Sequence, residues 1–325
     1  MKAFITRKKV GKTYHYFNAN GRITDATEVE RINALAIPPA WKKVQIAPSK
    51  KAKVQARGYD SSGRLQLIYS ASFRMKQEKL KFNRILRFAK KLPKLRKQIE
   101  KDLARKRLSK EKVLACIVKL IDQAYFRVGN ERYATEHQTY GVTTLRSKHT
   151  TVQGSTVIFD FVGKSGQKHH KKLSDPQLAR IIKQLDELPG HEIFRYQDKD
   201  GRMHDLHAAD VNKYIKRHMG DEFTAKDFRT WGGTLMATSA IVREVIEDDS
   251  SQTARKKQLT DIVKRVAKKL GNTPAVARGS YIDPRVFEAY EDGVSVPRLQ
   301  QAIATMRPRK YLSVDEQCVL TLLKK

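Results

Sequence analysis

Over the first 75 or so residues, apolar and polar positions alternate in short runs broken by turn residues. Thr13-Tyr14-His15-Tyr16-Phe17 runs into Asn18-Ala19-Asn20-Gly21, a hairpin signal. Val44–Pro48 and Ala52–Ala56 alternate in the same way, and after the turn Asp60-Ser61-Ser62-Gly63 the segment Arg64–Tyr69 returns as a strand. From about Phe73 the period becomes helical, with Leu80, Ile85, Leu86 and Phe88 on one face. Residues 90–112 form a basic run with an expected hinge at Pro93. It reads equally as a solvated helix surface or as a phosphate-tracking linker. Val113–Tyr125 is a strongly apolar helix that should stop near Gly129-Asn130. Strands are expected at Val157–Val162 and Gln167–Leu173 around the turn Gly163-Lys164-Ser165-Gly166. A helix opens at Ser174-Asp175-Pro176, and further helices are expected at about 208–219, 224–246 and 257–270, the last closed by Gly271. The pattern predicts an α+β chain. A small β-rich domain covers residues 1–78, and a larger, mainly helical domain with a small antiparallel sheet covers 79–325.

Charge changes the picture. There are 66 Lys+Arg against 34 Asp+Glu, a formal net charge of +32. The basic residues are spread along the whole length rather than gathered in a tail, which points to a polyanionic partner, nucleic acid first. Hydrophobic residues make up 40% of the 325, with 12 Phe and 12 Tyr, enough for two cores. Cys116 and Cys318 lie far apart in apolar helical contexts and read as buried thiols, with no disulfide framework and no zinc site. Met1-Lys2-Ala3-Phe4 leads directly to Arg7-Lys8-Lys9, so no signal peptide is expected. No run approaches the ~18 apolar residues of a membrane span. Gly11-Lys12-Thr13 imitates the end of a P-loop, but Thr6 stands where the leading glycine belongs. No carboxylate cluster suggests an obligatory metal pair.

The candidate chemistry starts at Tyr281. Gly271 stops one helix, and Thr273-Pro274 caps and starts the next. Gly279-Ser280-Tyr281-Ile282-Asp283-Pro284 then interrupts it. An exposed tyrosine there, beside Arg278, suits a movable nucleophile, although most tyrosines simply pack a ring and bond a hydroxyl. A phenol of pKa about 10 needs local positive charge to react as phenolate. Three basic residues stand in distinctive settings: Arg127 in Phe-Arg-Val-Gly, Lys164 at a Gly-Lys-Ser-Gly hairpin tip, and Arg229 in Lys-Asp-Phe-Arg-Thr-Trp-Gly-Gly after a capping-box-like start. Each alone reads as a helix-end cation, a solvated turn lysine or an ion-pair residue. Together, two arginines, a lysine and a tyrosine suffice to attack a phosphodiester covalently without a metal.

In these segments, over essentially the whole length, the chain resembles the type IB DNA topoisomerases of the small poxvirus and bacterial kind. Phe126–Gly129 resembles the first arginine motif, Phe161–Lys164 the catalytic lysine hairpin, Lys226–Gly232 the second arginine motif, and Gly271 through Tyr281 the nucleophile segment. Asp60–Gln66 resembles a DNA-contacting turn and strand. Poxvirus members carry histidine where this chain has Asn272. An amide still donates a hydrogen bond but carries neither proton nor charge. Leu67 stands where those members have an aromatic, so a changed sequence preference is expected.

The resemblance implies a transesterification. Tyr281 attacks a backbone phosphate, leaving a 3′-phosphotyrosyl link and a 5′-hydroxyl. Arg127, Arg229 and Asn272 stabilise the non-bridging oxygens, and Lys164 serves as general acid. DNA contacts are expected from Arg64, Gln66, Tyr69, Tyr133, Lys226 and Arg278. No ATP is needed, and magnesium is not required although it can stimulate. The partner is duplex DNA, clamped by a monomer whose two domains close on it. The expected location is cytoplasmic: at the nucleoid of a bacterium, or in a virion or host cytoplasm. A tyrosine recombinase shares this plan but usually shows histidine at the place of Lys226. A non-catalytic basic architectural protein would bind DNA without a covalent adduct.

Overall fold

The computed structural model describes residues 4–244 and 251–324. Its internal contacts divide the chain into residues 1–81 and 82–325. The first unit is a six-stranded antiparallel sheet in the order β3-β2-β1-β4-β5-β6. The strands are β1 (Ile5–Val10), β2 (Thr13–Asn18), β3 (Gly21–Arg22), β4 (Lys42–Ile46), β5 (Val54–Tyr59) and β6 (Leu65–Tyr69), with helix α1 (Ala26–Ala34) between β3 and β4. Ile32 of α1 is buried with Ile5, Tyr16, Val44, Ile46 and Ala56.

Two of these elements were not legible in the pattern. In β1 the run Arg7-Lys8-Lys9 hides the alternation. In α1 the cap at Asp25, whose side chain accepts from the Thr27 amide, precedes only a short apolar face. Gly11-Lys12 forms the turn of the β1–β2 hairpin, where no helix follows to cradle a phosphate.

Helix α2 (Ala71–Leu103) crosses the division between the units. It runs through Pro93 as one helix, so the expected hinge is absent. Its apolar face (Ile85, Phe88, Leu92, Leu95, Ile99) is buried on both sides of the proline, and that packing outweighs the lost backbone hydrogen bond. Arg96, placed in the basic run read as solvated surface or phosphate-tracking linker, is instead held between Asp122 and Glu316 at 2.7 and 2.8 Å. Leu80, placed on the apolar face by its spacing, is exposed.

The second unit continues with α3 (Lys110–Ala124) and α4 (Glu131–His137). The α3 stop is Tyr125 in the left-handed conformation (φ 56°), earlier than the expected Gly129. A three-stranded antiparallel sheet follows: β7 (Thr150–Gln153), β8 (Thr156–Val162) and β9 (Lys168–Ser174). After α5 (Pro176–Asp186) comes the small hairpin β10 (Arg195–Gln197) and β11 (Met203–Asp205). The chain ends in helices: α6 (Ala208–Met219), α7 (Ala225–Arg243), α8 (Gln252–Leu270), α9 (Pro274–Ser280), α10 (Pro284–Glu291), α11 (Ser295–Thr305) and α12 (Val314–Leu322). Residues 1–3 of the expected leaderless start, and 245–246 of the expected 224–246 helix, lie outside the described residues.

Helix α7 runs through the core, with Phe228 and Trp231 buried among Phe88, Phe126, Phe159 and Phe223. Cys116 and Cys318 are buried free thiols whose pKa burial raises to about 12 and about 11. The chain is α+β, with a small β-rich N-terminal region and a mainly helical remainder carrying a small antiparallel sheet. Among the described residues, no helix is long and apolar enough to cross a membrane.

Candidate active site

The site is built on α7. Thr224 caps it, its amide bonded to Asp227, and Arg84 of α2 locks the Asp227 carboxylate at 2.6 Å. Arg229, one turn in, is buried rather than turned to solvent. Its guanidinium donates to the Tyr125 carbonyl and to the Leu270 carbonyl, both at 2.6 Å. Arg127 donates to the Gly271 carbonyl at 2.9 Å. These acceptors are the last carbonyls of α3 and α8, where unpaired C=O groups and the helix dipole concentrate negative partial charge. Two helix ends thus hold two arginines close together without a carboxylate. Burial, then Arg229, brings the Arg127 pKa down to about 10.

Two glycines explain the Trp-Gly-Gly that follows Arg229. A Cβ on Gly232 would meet the Tyr125 ring at 2.1 Å. One on Gly233 would meet the Tyr281 carbonyl oxygen at 2.5 Å. Only glycines let both tyrosine segments lie against α7.

Gly271 ends α8 in the left-handed conformation, with the Asn272 amide bonded back to Ala267. Thr273 then caps α9 by accepting from the Val276 amide. The Asn272 side-chain oxygen accepts from Arg127 at 2.5 Å, while among the described residues its Nδ2 is buried with no partner, as is Arg229 Nε. Tyr281 follows α9 as its cap, in an irregular conformation (φ −127°, ψ −14°). Its backbone is anchored on α7: the Thr234 hydroxyl donates to the Tyr281 carbonyl at 3.4 Å and accepts from the Asp283 amide at 3.1 Å.

Tyr281 was expected exposed beside Arg278. It is half-buried instead, with Arg229 5.1 Å from its ring centroid. Arg278 turns away and stacks on Phe287 at 4.1 Å. Burial pushes the Tyr281 phenol up, but Arg229, then Arg127 and Lys226, outweigh it and the net shift is downward.

Lys164 lies in the turn between β8 and β9, exposed, with no hydrogen bond or ion pair among the described residues. Two residues of the same hairpin were missed in the sequence. The His169 ring stacks on Phe161 and packs against Gly163 and Gly271, so it joins the lysine turn to the α8 terminus. Burial, then Lys171, Arg127 and Arg229, bring its pKa to about 4, and it is neutral. Lys171 is buried opposite Phe159, its ammonium 2.7 Å from the Ala124 carbonyl. The alternation of β9 was the available signal: counting back by two from Leu173 places Lys171 and His169 on the inner face, with Lys168, His170 and Lys172 outside.

The expected DNA contacts are scattered. Arg64 and Gln66 are both tied to the Asp60 carboxylate, whose pKa falls to about 2, chiefly through the backbone hydrogen bond of Arg64. By alternation along β6 their side chains leave the face opposite to Leu65, Leu67 and Tyr69. Tyr69 rests on Phe73, Tyr133 is exposed on α4, and Lys226 is exposed in the first turn of α7.

Comparison with known proteins matches residues 70–307 to the family described as eukaryotic DNA topoisomerase I, catalytic core. Residues 13–60 match the bacterial DNA topoisomerase IB N-terminal domain. The chain is 35% identical over 295 residues to DNA topoisomerase 1B of Acanthamoeba polyphaga mimivirus, covering 89% of this chain and 88% of that one. It is 24% identical over 240 residues to DNA topoisomerase 1B of Vaccinia virus (strain Western Reserve), covering 72% of each.

Proposed function

Because the chain belongs to the type IB DNA topoisomerases, we propose that it relaxes supercoiled duplex DNA through Tyr281, in a cycle served by Arg127, Arg229, Asn272 and Lys164. The observation that carries this reading is the convergence of Arg229, Arg127 and Asn272 on the α3 and α8 termini, with Arg229 against the Tyr281 ring. Such a set calls for a doubly bonded anion. The unpartnered Nδ2 of Asn272 and Nε of Arg229 are donors that phosphoryl oxygens would take up.

The chemistry is an exchange of esters. The Tyr281 phenolate oxygen, its proton released to water, bonds to phosphorus as the bond from phosphorus to the 5′ oxygen breaks. The leaving alkoxide takes a proton from Lys164, which has no partner among the described residues and stands at the turn. The strand then swivels, and the 5′-hydroxyl attacks the phosphotyrosyl link to reverse the step. One phosphoester replaces another, so the cycle needs no ATP. Neutralisation by three cationic side chains replaces an obligatory metal, although magnesium can stimulate product release. The protein acts in this reading as a monomer on duplex DNA, wherever that DNA resides: a bacterial nucleoid, a virion or a host cytoplasm. The recombinase and architectural readings lose ground to Lys226 and to relatives named as topoisomerases.

The test is relaxation of positively and negatively supercoiled plasmid in EDTA without ATP. Both signs should relax. Strict dependence on magnesium or ATP would overturn the reading.

A further inference from the structure

The transesterification above leaves Lys171 without a task. Its side chain is buried on the inner face of β9, where a leucine or methionine would fill the space at no electrostatic cost. Among the described residues it makes no ion pair. Its ammonium instead donates to the Ala124 carbonyl at 2.7 Å and lies 5.3 Å from the Phe126 ring centroid. Burial brings its pKa to about 7, with help from Arg229, Lys269 and Arg127. The charged and titratable groups that face it are therefore Arg229 from α7, Arg127 from the segment after α3, Lys269 from α8 and His169 from its own strand. His169, at about 4, stays neutral above pH 6.

The acceptor it has chosen matters. Ala124 and Tyr125 offer consecutive carbonyls at the end of α3. The first holds Lys171, the second holds Arg229, and Arg127 leaves the chain two residues later. We propose that Lys171 is a positioning residue of the active site, whose ammonium fixes the α3 terminus that holds Arg229 and aims Arg127, and which takes up a proton when a phosphodiester enters between those arginines. The inference rests on the phosphodiester reading of the site. An anion between the guanidiniums cancels the repulsion that discourages a third buried charge, so the bound state favours the ammonium. The sign follows. Below about pH 7 Lys171 is protonated with and without DNA, and occupancy changes nothing. Above it the free protein has lost the proton that the complex keeps, so affinity falls by up to about tenfold per pH unit.

The experiment measures noncovalent DNA affinity from pH 6 to 9 at fixed ionic strength, in a Tyr281→Phe background, with and without Lys171→Met or Lys171→Arg. Single-turnover cleavage by the same Lys171 variants is measured in the protein with Tyr281 intact. Lys171→Met should abolish the decline in affinity above pH 7 and slow cleavage at saturating DNA. Lys171→Arg, charged at every pH, should flatten the profile at its acidic level and restore most of the cleavage rate. An unchanged profile in Lys171→Met, or equal cleavage by the Met and Arg variants, overturns the inference.

If Lys171→Met does not fold, calorimetry of the Tyr281→Phe protein in two buffers of different ionisation enthalpy still decides. Proton uptake on binding DNA at pH 7.5 is expected, and none refutes the proposal. A protein with Tyr281 intact that forms no SDS-stable adduct would instead refute the phosphodiester reading.

Discussion

Arg229 and Lys164 reach their places by opposite means. Arg229 is buried on a core helix, with both terminal nitrogens committed to backbone carbonyls and an Asp227–Arg84 lock two residues before it. Lys164 is exposed at a hairpin turn and makes no hydrogen bond or ion pair among the described residues. The difference matches the role proposed for each. Stabilising charge on the phosphoryl group needs donors fixed before the reaction, because reorganising them during it costs the advantage. Delivering a proton to a leaving oxygen needs reach more than rigidity. The buried half is preorganised, and the exposed half is free to settle on the DNA.

Four measurements break or sharpen this contrast. The largest effect belongs to Tyr281→Phe, which should abolish the covalent adduct while leaving noncovalent binding nearly unchanged. An SDS-stable adduct in that variant would move the nucleophile elsewhere.

Next comes Lys164→Ala, with cleavage of an ordinary phosphodiester slowed about 10²–10⁴-fold. On a substrate with a 5′-bridging sulfur, whose leaving group needs little protonation, the rate should largely recover. An equal defect on both substrates would make Lys164 a phosphate ligand and erase the division of labour.

Asn272→Ala removes one donor from the fixed half and should cost about 10²-fold in single-turnover cleavage, while Asn272→His should stay near the parent rate. Alanine cleaving as fast as the parent would reduce Asn272 to a helix-start residue.

Lys226→Gln should have the smallest effect. This exposed cation helps lower the Tyr281 pKa, and a two- to fivefold loss is expected, shrinking as salt is raised. A salt-independent loss would mean that Lys226 touches the reacting group.

The same contrast explains what could be read from the sequence. The exposed hairpin turn at Lys164, the Gly271–Thr273–Pro274 break before Tyr281 and the Thr224–Asp227 cap are local, written in turn and cap residues, and each lies where the pattern put it. What was missed is tertiary. The stop of α3 at Tyr125 depends on a ring packing onto Gly232, more than 100 positions away, and left no glycine as a signal. Pro93 marks a break only until packing on both sides of α2 overrides it. Arg278 sits three residues before Tyr281, yet the short helix turns it onto Phe287, while Arg229, 52 positions upstream, supplies the neighbouring charge. Lys171 and His169 were within reach of the β9 alternation, hidden in a run of six polar residues that reads as a solvated strand.

The anchoring of Tyr281 on α7 has a mechanical side. In the proposed cycle the phosphotyrosyl bond at Tyr281 ties the protein to the cut end while one DNA strand swivels, so drag on the turning duplex pulls on this residue. The pull does not end in a loose connector. It passes from the Tyr281 carbonyl to the Thr234 hydroxyl, and from the Asp283 amide to that same hydroxyl, and so into a helix whose Phe228 and Trp231 are wedged in the core. In the proposed cycle, a tether fastened to a helix buried in the core returns its cargo to the same position after each turn, and the 5′ end meets its partner again by rotation alone.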